Sequence, residues 1–176
     1  VVNLVIYWSP STLHPPTFRH RMYPLYKANR PPVPPRFLEQ CEQVFSALDS
    51  AGVSNVTVEG YEADDVLGTA TTQAEQSGIH THIMTCDLDL LQLISPNVTV
   101  EVFSQYWPTR LFDEESTRAR FSGLDVSLIP DFKALVGDRS DNLPGIRGIG
   151  VVAASSILAN YGKLEEVYED VGRVAL

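Results

Sequence analysis

Residues 79–103, IHTHIMTCDLDLLQLISPNVTVEVF, decide the fold. The β-branched run 79–86 reads as a strand that starts just after Gly78, and Val98, Val100 and Val102 mark a second strand over 98–103. Between them, 87–94 reads as a short helix. Two strands joined through a helix argue for parallel pairing in an α/β sheet. In such a sheet, ligands bind beyond the carboxyl ends of the strands, and Asp87 and Asp89 stand at the end of the first one.

Working outward, 61–76 reads as a helix closed by Gly78, and 56–59 as a short strand before it. Phe37, Cys41, Val44, Phe45 and Leu48 recur at helical spacing, and Gly52 ends that helix. Residues 1–8, VVNLVIYW, read as a buried strand. The stretch 9–36 has no apolar period and contains the proline pairs 15–16, 31–32 and 34–35, so a long exposed loop or a loose helical hairpin is expected there. Beyond Gly123 the pattern turns helical: 128–136, a Gly-rich hairpin over 143–150, then helices over 151–161 and 164–171. The expectation is a parallel-sheet α/β core over 1–122 and a small helical unit over 123–176.

Charge separates these parts. The 176 residues carry 22 acids and 13 bases, a formal charge of −9. Residues 1–36 hold Arg19, Arg21, Lys27, Arg30 and Arg36 and no acid at all, so a basic arm stands against a strongly acidic body. A simple DNA-coating protein would be basic throughout. Cys41 and Cys86 are too few for a disulfide framework, which favours a reducing compartment. No apolar run approaches the roughly 18 residues of a membrane span. The start at Val1 lacks an initiator Met, basic flank or cleavage site and reads as a fragment, a mature form or the ordered part of a longer chain.

Three acidic groups carry the chemistry. Glu62, Asp64 and Asp65 open a helix, with Glu62 and Asp65 on one face. Asp87 and Asp89 follow a strand, and Asp138 and Asp141 lie in the turn entering the Gly-rich hairpin. Each group alone is equally explained by helix capping or turn chemistry. Gathered at one sheet edge, seven carboxylates would repel one another, raise at least one pKa and call for divalent cations. All-oxygen ligands select Mg²⁺ or Mn²⁺ over zinc, and two such ions about 4 Å apart activate water against a phosphodiester. In the hairpin, Gly145, Gly148 and Gly150 would let backbone N–H groups approach a phosphate, or simply form a turn between helices. The arm interleaves Arg19, Arg21, Lys27 and Arg30 with Phe18, Tyr23 and Tyr26, a pattern that suits phosphates and unpaired bases as well as a packed surface loop.

Four stretches in order, FRHRMYPLYKANRPPVP (18–34), EGYEADDVLGTATTQAEQSG (59–78), TCDLDLLQLI (85–94) and ALVGDRSDNLPGIRGIG (134–150), resemble the 5′ nuclease domain of bacterial-type DNA polymerase I, within the wider flap endonuclease family. The resemblance spans 17 to about 170. It implies a PIN-like nuclease core, a mobile arch over the site and a C-terminal helix–three-turn–helix element. By position it implies that Glu62, Asp64, Asp65, Asp87, Asp89, Asp138 and Asp141 are metal ligands and catalytic residues. It implies that Arg19, Lys27 and Arg30 face the 5′ end of the substrate, and that 145–150 holds a duplex backbone, in some members with K⁺. The implied activity is metal-dependent 5′→3′ exonuclease and flap endonuclease cleavage of DNA, and of RNA–DNA hybrids. The implied location is intracellular, in the cytoplasm or nucleoid or in a DNA-containing organelle.

Three positions depart from the family. Its early Asp has no counterpart before Glu39, and where a second Asp would end the first strand the chain reads Ile6-Tyr7-Trp8. Val151-Val152 stands where a Lys often follows the hairpin. The two missing acids favour the alternative of a catalytically impaired nucleic-acid-binding or scaffold protein and the seven retained carboxylates oppose it; the missing Lys would weaken a duplex contact without abolishing it.

Overall fold

The computed structural model describes residues 5–7 and 17–170. The ends of the expected first strand, the arm residues 9–16 and the end of the last helix lie outside the described residues. The chain packs as two compact units, Val1–Ala70 and Thr71–Leu176.

In the first unit, β1 (Val5–Tyr7) and β2 (Ser54–Val56) pair in parallel, with Val5 opposite Ser54 and Tyr7 opposite Val56. The strand expected over 56–59 is therefore displaced toward the N-terminus. Pairing with β1 sets its span, and Gly60 turns the chain at φ 80° before the next helix. From Thr17 on, the arm is more ordered than a long open loop. It forms α1 (Phe18–Met22) followed by successive turns closed by Tyr26, Ala28 and Arg30 N–H groups. The Phe18 N–H donates to the Gly60 carbonyl at 3.0 Å, and Thr17 and Tyr26 are buried. Next comes α2 (Pro35–Ser50), where Pro35 opens the helix with a fixed φ and no N–H to satisfy. Its apolar stripe is only half covered, since Phe37 and Val44 are exposed.

The helix α3 (Ala63–Gln76) carries the division between the units. In the second unit, β3 (Thr81–Thr85) and β4 (Val98–Val102) pair in parallel through the 3-10 helix Leu88–Leu93, as the pattern of 79–103 requires. Val98, Val100 and Val102 point into the core with Ile83, and each is at most 3% exposed. Thr99 and Glu101 take the opposite face, the period-two signature of a strand.

Two elements lie outside the sequence expectations. A short β5 (Arg110–Phe112) pairs antiparallel with β4, and α4 (Glu114–Arg120) follows it. The Asp113 side chain accepts from the Ser116 N–H while the Ser116 hydroxyl takes the Asp113 N–H, a reciprocal cap. The β4–β5 connection exposes Tyr106 and Trp107, their rings 6.5 Å apart.

The helices α5 (Ile129–Val136), α6 (Val151–Tyr161) and α7 (Leu164–Glu169) close on a core of Leu124, Phe132, Leu135, Ala154, Ile157, Leu158 and Val167. Leu158 is 1% exposed, so cutting it to Ala would cost about 2–5 kcal/mol. Among the described residues no helix is long and apolar enough to cross a membrane.

Candidate active site

The first acidic group is built by the start of α3. The Asp65 carboxylate reaches back to accept the Glu62 N–H at 2.9 Å, which satisfies one of the donors that a helix start leaves open. The same carboxylate receives Arg19 in a two-pronged contact, Nη1 to Oδ2 at 2.6 Å and Nη2 to Oδ1 at 2.7 Å. Planar guanidinium and carboxylate fit each other in this geometry. Burial pushes the Asp65 carboxyl upward, but the Arg19 and Glu62 hydrogen bonds outweigh it and hold the group below its usual range. Arg19 is raised in turn, chiefly by its hydrogen bond to Asp65.

Glu62 is 5% exposed. Its Oε2 accepts from Lys27 Nζ at 2.7 Å and from the Tyr26 hydroxyl at 3.2 Å. Its Oε1 is buried and has no hydrogen-bond partner among the described residues. Lys27 sits in the left-handed region, at φ 54°, and its ammonium lies 4.8 Å from the Tyr26 ring centre. Asp64, on the next face of α3, is half-buried.

The second and third acidic groups meet within the second unit. Asp87 is exposed at the end of β3 and caps the 3-10 helix, its Oδ1 accepting the Asp89 N–H at 2.8 Å. Asp138 organises the turn before the hairpin: its Oδ1 accepts the Ser140 N–H at 2.7 Å and the Ser140 hydroxyl at 2.6 Å, and the Asp141 N–H at 3.3 Å. Lys133, on α5, joins the two groups. Its Nζ lies 2.8 Å from Asp89 Oδ1 and 2.6 Å from Asp138 Oδ2.

These partners split the acids. Burial raises Asp138, yet Lys133 and Ser140 overcome it and bring the group down to about 2. For Asp89 burial wins over Lys133, with Asp87 and Asp138 adding repulsion, and the carboxyl is raised. One raised carboxyl was expected from like-charge repulsion; desolvation is the larger cause. Among the described residues no three His, Cys, Asp or Glu side chains form a ready metal cage.

The hairpin glycines divide by role. A Cβ on Gly145, at φ 63°, would meet the Val136 carbonyl and the Gly137 nitrogen, so this glycine is required by backbone crossing backbone. Nothing lies within 4 Å of a Cβ on Gly148 or Gly150, which leaves their backbone open to a ligand. Arg30 follows the turns of the arm, exposed to solvent.

Sequence reasoning passed over Lys133 as a site residue, and it gave Tyr26 to base stacking rather than to Glu62. Lys133 had a signal, since it is the single base between Arg120 and Arg139 and sits in a mostly apolar helix whose other charge is Asp131.

Parallel strands in an α/β core followed by a small helical unit agree with a resolvase-like domain joined to a C-terminal SAM fold. Residues 3–122 match the model of the 5′-3′ exonuclease N-terminal resolvase-like domain, and 124–175 that of the 5′-3′ exonuclease C-terminal SAM fold. The chain belongs to the 5′-3′ exonuclease family. It is 39% identical over 158 residues to DNA polymerase I of Chloroflexus aurantiacus, covering 88% of this chain and 17% of that protein. With the thermostable DNA polymerase I of Thermus thermophilus it shares 41% over 159 residues, covering 90% and 18%. The chain thus spans under a fifth of the length of these relatives.

Among solved structures, the 5′-exonuclease of bacteriophage T5 with bound divalent zinc superposes at a TM-score of 0.74 with 22% identity, covering 92% of this chain and 62% of that one. The catalytic core of Rad2 in complex with DNA substrate superposes at 0.57 with 20% identity, covering 96% and 50%. Both agree in fold.

Proposed function

We propose that the chain is a metal-dependent 5′→3′ exonuclease and flap endonuclease that hydrolyses phosphodiester bonds near DNA 5′ ends. The observation that carries this reading is Glu62: a carboxylate 5% exposed, with one oxygen unpartnered among the described residues and the other held by an internal cation. An anion buried in this way needs positive charge. Asp64 and Asp65 beside it, and Asp87, Asp89, Asp138 and Asp141 in the second unit, are all oxygen donors of the kind that suits Mg²⁺ or Mn²⁺. When bound, divalent ions supply charge neutralisation and a lowered pKa for the attacking water.

The chain's own residues do the positioning. Arg19, Lys27 and Arg30 attract the phosphates of the 5′ end, and the phenyl and phenol rings of Phe18 and Tyr26 brace two of those cations. Open backbone at Gly148 and Gly150 receives the duplex phosphates, and the hairpin 145–150 would hold K⁺, whose charge would favour a phosphate there. Cutting belongs to 1–122 with its arm 9–36, and holding to 123–176. The substrate class extends to RNA–DNA hybrids, and the setting is intracellular, where DNA is found.

Support comes from the family match and from relatives named as DNA polymerase I. A solved flap endonuclease of bacteriophage T5 is a pseudo-enzyme-product complex with DNA and metal ions. The test is single-turnover cleavage of a labelled 5′ flap in Mg²⁺ and in EDTA, with binding followed in Ca²⁺. Metal-dependent cutting that Asp87→Asn reduces by orders of magnitude supports the reading. Flap binding without cutting in Mg²⁺ or Mn²⁺ would instead favour the binding-protein alternative suggested by Ile6-Tyr7-Trp8.

A further inference from the structure

Lys133 touches acids from two of the three clusters. It comes from the last turn of α5, where a cation also suits the helix dipole. Its ammonium bridges one oxygen of Asp89, just beyond β3, and one of Asp138, in the turn after α5. Those two segments are more than 40 positions apart in sequence, so this contact holds the strand end and the hairpin entrance together. The remaining oxygens are engaged differently: Asp138 Oδ1 is tied up by Ser140 and Asp141, leaving Oδ2 as the one facing Lys133.

The geometry points to Lys133 as a built-in counter-cation that occupies the place between Asp89 and Asp138 and competes there with a divalent metal. This inference rests on the metal-site reading above. A divalent ion between Asp89 Oδ1 and Asp138 Oδ2 would share that place with the ammonium, and the two cations would repel strongly. Metal entry therefore displaces Nζ from at least one carboxylate, and part of the metal's binding energy is used for that exchange. Without the metal, Lys133 keeps two acids converged that would otherwise repel. It is a positioning residue: it sets how tightly metal binds and how well the empty site holds its shape.

The exchange predicts opposite effects on two measurements. In Lys133→Met, with a side chain of similar length and no charge, Mn²⁺ measured by titration calorimetry should bind more tightly, by roughly fivefold or more, the low end of ordinary coupling between ligands. The melting temperature in EDTA should fall. Lys133→Arg should restore the EDTA melting temperature and the weaker Mn²⁺ affinity, because a guanidinium can bridge the same oxygens. Lys133→Gln is the second neutral variant, in case Met disturbs folding. Equal or weaker Mn²⁺ binding in the folded neutral variants would overturn the competition. Failure of the wild-type chain to bind Mn²⁺ saturably would overturn the metal reading itself, and the competition with it.

Discussion

Glu62 and Lys27 show how far a single side chain can depart from what its sequence context suggests. Lys27 belongs by pattern to a basic arm facing DNA, yet its ammonium is packed onto a buried carboxylate. Any substrate phosphate that Lys27 reaches would share its charge with Glu62, so arm and acid are linked. Removing one partner of a buried pair typically costs about 3–5 kcal/mol, because the other is left as an uncompensated charge. Lys27→Ala should therefore lose stability of that order in urea unfolding in EDTA, and Mn²⁺ should recover part of it. If Lys27 also reaches a phosphate, the salt dependence of flap binding should fall by about one contact. Wild-type stability with a wild-type salt slope would leave Lys27 with neither task. The Arg19–Asp65 contact is more exposed and two-pronged, and it ties the arm to the start of α3 in the same manner.

At the scale of elements, glycine spacing and capping decide what can be changed. Gly145 and Gly148 look alike in sequence but differ in what surrounds them. An alanine at Gly148 bears only the strain of its backbone conformation at φ 90°, about 1–2 kcal/mol. At Gly145 the added carbon also collides with the Val136–Gly137 backbone, so Gly145→Ala should be clearly the less stable variant in urea. Equal losses would mean that the crossing can relax. Asp125 caps the 3-10 turn before α5, its Oδ1 accepting the Ser127 N–H at 3.0 Å and its Oδ2 pairing with Arg118 at 2.8 Å. Hydrogen bonds from Ser127, ahead of Arg118, hold its carboxyl below the usual value. A depressed carboxyl stabilises the fold above its unfolded pKa, about 3.9, and this is lost as pH falls toward the folded value. The melting-temperature gap between wild type and Asp125→Ala should be full at pH 6 and shrink below pH about 4. A constant gap down to pH 2 would remove the carboxylate's charge from the explanation.

What the sequence made legible follows the same physics. The helix α6 is read at its true limits because Gly150 and Gly162 flank an apolar run. The strands β3 and β4 are read because their valines and isoleucine alternate. The position of β2 escaped because its span depends on pairing with β1. β5 escaped because three residues beside a proline carry no period. For α4 the cap signal at Asp113 and Ser116 was present, but its polar face gave no apolar repeat. The candidate acids were legible one by one; their internal cations were not, since Lys133 and Lys27 meet them only after folding.

For the whole molecule, metal is the variable with the widest reach. If acids in each unit take divalent ions and the unfolded chain does not, Mn²⁺ at 100 times its dissociation constant should add about 2.7 kcal/mol per site. Calorimetric melting in Mn²⁺ and in EDTA reads this directly. An unchanged melting temperature at saturating Mn²⁺ would mean that folding and metal are not linked. The two compact units make the origin of any such shift worth locating, and the β4–β5 tip offers a means. The chain has only two tryptophans, Trp8 and Trp107, and Trp107 stands half-exposed beside Tyr106. With Trp8→Phe, all indole emission would arise from one spot at the end of the β4–β5 hairpin. The molecule thus contains a native optical probe of its second unit, readable without any attached dye.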